Sequence, residues 1–377
     1  MDALTTPLPK DWEVKTFRDI STINQGLQIP ISQRLKAPTE HAKFYITIQA
    51  LNNRKEFEYI KTYNESVVCH KDDILMTRTG NTGMVITNIE GVFHNNFFKI
   101  NFDRTLINKD FLVYFLSLEQ TQKTILKKAG TSTIPDLNHN DFYSLSIPLP
   151  PLNEQIAIAN ILSDVDHYLY SLDALILKKE SVKKALSFEL LSQRKRLKGF
   201  NQAWQRVRLG DICEIVKGQQ INKISLNNTD KYPVINGGID FLGYTNKFNV
   251  SKNTIAISEG GTCGYVRFMK SDFWSGGHNY SLQKISNKVN NLCLYHILKS
   301  YEKDIMKLGV GSGLKNIQLK TLKDFEIPLP PLNEQIAIAN VLSDLDSEII
   351  SLKNKKRQFE NIKKALNHDL MSAKIRV

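Results

Sequence analysis

Apolar residues fall at Ile158, Leu162, Val165, Leu169, Leu172 and Ile176, separated by gaps of four and three in alternation. That spacing holds one stripe on one face of a helix and is the seam of a coiled coil. The same rule runs through Ile338, Leu342, Leu345, Ile349 and Leu352. A proline cluster, Pro148, Pro150 and Pro151, stops whatever precedes the first stripe. Asn153 is expected to cap the helix, with Glu154 in its first turn. Lys179 and Lys356 interrupt the seams, which resume less regularly, and no glycine or proline follows before Gly199. A helix of about 45 residues, about 65 Å long, is predicted in each place.

The two helical segments are near copies. IPLPPLNEQIAIANILSDVD (147–166) and IPLPPLNEQIAIANVLSDLD (327–346) differ at two positions, and the 180-residue offset persists without a gap to Leu197 and Val377. An apolar stripe that long must be buried, and the nearest partner is its own copy. The expected arrangement is an antiparallel intramolecular coiled coil with a large block at each end and a pseudo-twofold axis across it; a homodimeric coiled coil that uses each helix separately is the alternative.

The large blocks share a skeleton and little else. LPKDWEVKTFRDISTINQGLQI (8–29) and FNQAWQRVRLGDICEIVKGQQI (200–221) place Trp, Asp-Ile and Gly alike. DILMTRTGNTGMV (73–85) and TIAISEGGTCGYV (254–266) both predict a strand, a glycine turn and a strand. His94-Asn95 and His278-Asn279 recur. Amphipathic helices are predicted over 109–130 and 291–309, and each leads into a small-residue loop, GTSTIPDLN (130–138) or GVGSGLKN (309–316). The fold class is mixed α/β. The segments are 1–146, a first large block; 147–200, a helical spacer; 201–326, a second large block; and 327–377, a second spacer.

Composition adds limits. The chain has 377 residues and a net charge of +12. The excess sits mostly in 201–326, with 17 basic and 10 acidic residues, against 17 and 16 in 1–146. A polyanion partner fits that balance. No apolar run reaches the length of a membrane span. The first residues, MDALTTPLPKDW, have no apolar core, so no secretion signal is expected. Four scattered cysteines without a C-x-x-C pair point to neither a zinc site nor a disulfide framework, and so to a cytoplasmic setting. No histidine spacing suggests a metal site.

Enzyme motifs are missing. Leu149-Pro-Pro-Leu152 lacks the polar and aromatic ends that an adenine-methylating motif needs to hold a flipped base. Gly309-Val-Gly-Ser-Gly313 follows a predicted helix rather than a strand and has no Lys-Ser/Thr pair for phosphate. No catalytic residue and no cofactor are expected in this chain.

The repeated IPLPPLNEQIAIA lead-ins, the paired helices and two divergent blocks with W…DI…G openings resemble the specificity subunit of type I restriction–modification systems. The resemblance spans essentially the whole chain. It implies a non-catalytic subunit whose two target-recognition domains read the halves of a split, asymmetric site on double-stranded DNA. It also implies docking of two modification (methyltransferase) subunits, which would carry S-adenosylmethionine, with restriction subunits joining that core. A stand-alone two-headed DNA-binding regulator is the alternative.

Base reading draws on Arg or Lys for guanine and Asn or Gln for adenine, on projecting loops. Candidates in the first block are Arg78, Thr79, Asn81 and Thr82 in the glycine turn, with Thr131 and Ser132 in the last loop. The second block offers Lys217, Gln219, Gln220, Ser258 and Thr262, with Ser312, Lys315 and Asn316. Asn153, Glu154 and Gln155, with Asn333, Glu334 and Gln335, are the candidate partner-binding residues, because capping alone does not explain a whole retained block.

Overall fold

A computed structural model of the chain describes residues 8–52 and 57–377. Residues 1–7, part of the stretch on which the absence of a secretion signal rests, lie outside them. The chain forms two compact units, Met1–Leu172 with Lys355–Val377, and Asp173–Asn354.

In the first unit, strand Glu13–Thr16 pairs antiparallel with Ser146–Leu149, so the IPL lead-in is an edge of the folded block. Behind it stands an antiparallel sheet of Ser21–Gln25, Phe97–Phe102, Ile74–Thr77 and Val85–Ile86, in that order. A second sheet contains Lys43–Ile46 parallel to Gly91–Phe93, with Tyr59–Ile60 and Val68–Cys69 at its edges. Phe17, Phe98, Phe111 and Phe142 fill the core between the first sheet and the helices.

The second unit repeats the plan. Gln205–Arg208 pairs with Glu326–Leu329. Its antiparallel sheet is Glu214–Lys217, Asn279–Gln283, Thr254–Ser258 and Val266–Met269. Its second sheet is smaller, with Tyr232–Ile235 between Gly243–Thr245 and the parallel Trp274–Ser275.

The long helices are Leu152–Leu191 and Leu332–Met371, 40 residues each. They begin one residue ahead of the expected caps. The Pro151 carbonyl already accepts from Glu154 and Gln155, so Asn153 and its copy Asn333 lie inside the first turn. Each unit holds half of both helices, running antiparallel. In the first unit Asp166 meets Lys363 at 2.5 Å and the Tyr168 ring lies 4.6 Å from that of Phe359. In the second unit Lys183 meets Asp346 at 2.5 Å and Lys179 meets Glu348 at 2.7 Å. The stripes are where periodicity put them: Ile158, Leu162, Leu172, Ile176, Ile338, Leu342 and Ile349 are buried. Ile158, Ala159 and Leu162 with Leu370 and Met371 join the core of the first unit; Leu191, Ile338, Ala339 and Leu342 join that of the second.

Two expectations are corrected. The predicted helices over 109–130 and 291–309 each divide, into Lys109–Ser117 and Glu119–Ala129, and Asn291–Ser300 and Glu302–Lys307. At the first break Leu118 is extended, and the Gln122 amide donates to the freed Leu116 carbonyl at 2.6 Å. The two His-Asn pairs are not equivalent either. Phe97 pairs with Thr77 and Asn279 with Ser258, so His278 stands where Asn96 does and His94 corresponds to Gly276.

Candidate nucleic-acid interface

In each unit a glycine turn leaves the main sheet and the last loop folds back onto it. In the first unit the Arg78 amide donates to the Asn96 carbonyl at 2.8 Å, and the Leu137 amide to the Arg78 carbonyl at 2.9 Å. In the second the Glu259 amide donates to His278 at 2.8 Å and Ile317 to Glu259 at 2.9 Å. The turns share a backbone conformation. Gly80 and Gly261 have φ of 65° and 71°, Gly83 and Gly264 of 90° and 84°, all in the left-handed region that favours glycine.

On that common backbone the charge is inverted. Arg78 pairs with Asp136 at 2.7 Å and lies over the Phe98 ring. Glu259 occupies the equivalent place, accepts from Lys217 at 2.7 Å and takes the Tyr280 hydroxyl at 3.1 Å. Burial and the Glu259 carboxylate raise the Tyr280 phenol above its ordinary range.

The fold brings Arg78, Thr79 and Asn81 beside the loop of Thr131 and Ser132, through a bridge between Thr79 and Asp136. Asn81 is left-handed, with φ 53°. Thr131 and Ser132 are exposed. Thr82 is a correction: it is buried, and its hydroxyl donates to the Pro135 carbonyl at 2.7 Å, so it holds the loop down instead of facing a ligand. Ser258 is a second correction, 3% exposed at the end of its strand. Thr262 is half-buried and Lys217 is committed to Glu259. Gln219, Gln220, Ser312, Lys315 and Asn316 are exposed. Asn316 bridges Val310 and closes its loop.

The retained helix lead-ins have an internal explanation. Gln155, fully buried, donates to the carbonyls of Pro150 at 2.9 Å and Leu106 at 3.0 Å and accepts from the Asn108 amide at 2.9 Å. Gln335 repeats this with Pro330, Lys288 and Asn290 at 2.7, 3.1 and 2.7 Å. Asn108 and Asn290 cap the next helices of their blocks, so each glutamine ties the long helix to its recognition block. Glu154 accepts from the Trp12 indole at 3.1 Å and from Arg376 at 2.8 Å. Glu334 accepts from Trp204 at 3.0 Å and from both Nε and Nη2 of Arg196 at 2.6 Å. Trp12 and Trp204 are therefore anchors, not stacking platforms. The expectation of partner binding by Glu154, Gln155, Glu334 and Gln335 is corrected: at 5% exposure or less, with their hydrogen bonds made inside their own unit, they offer a partner no surface.

Exposed in both copies of this lead-in are Asn153, Ile156 and Asn160, with Asn333, Ile336 and Asn340. Ile156 is 41% and Ile336 40% exposed. Identity at buried positions follows from the clamps; identity at these exposed ones does not. Ile156, Asn160 and their copies were missed because exposure on a helix cannot be read from one stripe alone.

No group of His, Cys, Asp or Glu among the described residues could hold a metal, and all four cysteines are free.

The sequence profile described as type I restriction modification DNA specificity domain matches residues 9–179 and 201–361. A chain from Mycoplasma pneumoniae described as a type I specificity subunit is 40% identical over 151 residues, and the match spans 40% of each chain. A type I restriction enzyme specificity subunit of Methanocaldococcus jannaschii is 26% identical, across 98% of this chain and 94% of its own. The crystal structure of a type I restriction–modification S subunit from M. genitalium has the same fold, with a TM-score of 0.67 at 21% identity, over 97% of this chain and 98% of that one. Matched twice along its length, this chain belongs to the type I restriction modification DNA specificity domain family.

Proposed function

We propose that this chain is the non-catalytic, sequence-reading subunit of a type I restriction–modification complex, each unit reading one half of a split, asymmetric site on double-stranded DNA. The observation that carries this is the inverted charge on one backbone: Arg78 and Glu259 occupy equivalent turns. A shared frame with opposite groups suits two readers of different sequence, since Arg favours guanine and a carboxylate favours cytosine.

Two modification subunits are proposed to dock on the duplicated exposed faces, one at Asn153, Ile156 and Asn160 and one at Asn333, Ile336 and Asn340. S-adenosylmethionine belongs to those subunits, and restriction subunits join through them. A stand-alone DNA-binding regulator has no use for such a duplicated face, which disfavours that reading. No helix among the described residues is long and apolar enough to cross a membrane, and the cytoplasm, where DNA is available, is the proposed setting.

Mapping methylated adenines in the host genome with and without the gene tests this reading. One split motif should vanish with the gene. An unchanged map would refute it.

A further inference from the structure

The first unit has a cleft of about 350 Å³ that no sequence motif marks. Arg34, Tyr45, Glu58 and His94 line it, and Lys36, Gln49 and Asn96 also border it. Its inner groups are already engaged. Arg34 donates to the Ile29 carbonyl at 2.7 Å and pairs with Glu58 at 3.0 Å, and the Tyr45 hydroxyl donates to Leu27 at 2.8 Å. Burial, with Arg34 nearby, lowers the His94 imidazole below its usual range. The outer groups differ. Gln49 is exposed, Asn96 is half-buried, and neither side-chain amide is hydrogen-bonded to another described residue. Lys36 is 75% exposed and shares Glu58 with Arg34, so the three carry a net positive charge.

Position matters as much as chemistry. Asn96 supplies the carbonyl that holds Arg78, so the cleft adjoins the candidate reading turn. The strand registers also show what stands in the same places in the second unit. Leu226 replaces Arg34, Asn228 replaces Lys36, Gly238 replaces Gln49 and Gly243 replaces Glu58. Gly276 replaces His94 and His278 replaces Asn96. The surrounding backbone is common, while each of these side chains has changed. A role shared by both units, such as holding the sheets together, would have kept some of them.

We propose that Gln49 and Asn96 each read an adenine in the half-site bound by the first unit, with Lys36 on a neighbouring phosphate. A free carboxamide presents a donor and an acceptor side by side, the pattern that matches adenine N7 and N6 in the major groove. Lys36 adds a contact that positions without reading. This rests on the proposed function above and assigns the residues that carry it out.

The test uses the assembled methyltransferase complex, with methylated adenines mapped and the two half-sites scored separately. In Gln49→Ala and Asn96→Ala, discrimination should fall about 5- to 150-fold at one position of one half, with the other half unchanged. Gln49→Glu should shift the preference at that position from adenine toward cytosine. Lys36→Ala should weaken all sites alike and lower the salt dependence by about one phosphate contact. Neither side-chain amide is hydrogen-bonded to another described residue, so thermal melting should stay at the wild-type value. An unchanged motif overturns the assignment, as does a uniform loss of affinity without a change of motif, which would make these backbone contacts. If the wild-type complex itself leaves no split motif, the proposed function fails instead.

Discussion

The two recognition units differ in the side chains that their glycine turns present and agree in the backbone that holds those turns. The backbone bonds that hold the two turns at Arg78 and Glu259 match to within a tenth of an ångström, yet the side chains they carry have opposite charge. The glutamine clamps at Gln155 and Gln335 are repeated bond for bond. Identity between the copies therefore marks structural demand first. Partner demand is visible only at exposed identical positions, such as Ile156 and Ile336.

The clamps supply the largest contrast. Arg196 follows the first long helix and holds Glu334; Arg376 follows the second and holds Glu154. Glu334 is 1% exposed, so Arg196→Ala leaves a buried carboxylate facing only the Trp204 indole. A loss of about 3–5 kcal/mol from the second unit is expected in denaturant titration. Arg376 is half exposed and also reaches Asp11, and Arg376→Ala should cost the first unit less. Equal losses would show that the clamps do not differ as their burial implies.

Acid should also separate the units. His296 occupies the place that Tyr114 holds in the first, six residues past the capping Asn290 and Asn108. Tyr114 donates to Asp166 at 2.8 Å. His296 has a buried, unpartnered Nε2 beside Lys183 and Asp346, and burial pushes its imidazole down to about 4. The folded unit thus holds His296 neutral while the unfolded chain protonates it near pH 6.5. Its contribution is full above about pH 6.5 and is lost as pH falls toward 4, by up to about 3 kcal/mol. His296→Tyr should remove that loss within this window. A wild-type and variant difference that does not change with pH would contradict the assignment.

The smallest effect on stability should come from the exposed face. Ile156→Asp and Ile336→Asp should shift unfolding by about 0.5 kcal/mol or less. Each should nevertheless reduce co-purification with a modification subunit, and the double variant should abolish it. Undiminished capture would remove this face from the proposed interface.

These contrasts also define what the sequence could reveal. The long helices, their seams and the duplicated blocks follow from the 180-residue offset and a regular apolar stripe, both of which survive without knowledge of contacts. The burial of Glu154 does not, because its partners Trp12 and Arg376 lie 142 and 222 residues away. A recurring Trp at 12 and 204, with Arg at 196 and 376, was the available signal. The His-Asn repeat misled because strand register, not letter identity, fixes equivalence, and the copies are out of step there by two residues. The breaks at Leu118 and Tyr301 involve neither proline nor glycine, so tertiary packing overrode a continuous helical pattern. Gln49 and Asn96 stood in no motif, and only the fold brings them to one cleft.

On the proposed function, the two blocks read independently. Replacing residues 201–326 with the second block of another family member, then mapping methylated adenines made by the assembled complex, tests it directly. A new sequence should appear in one half of the site, with the original sequence kept in the other. A change in both halves, or in neither, would contradict that independence.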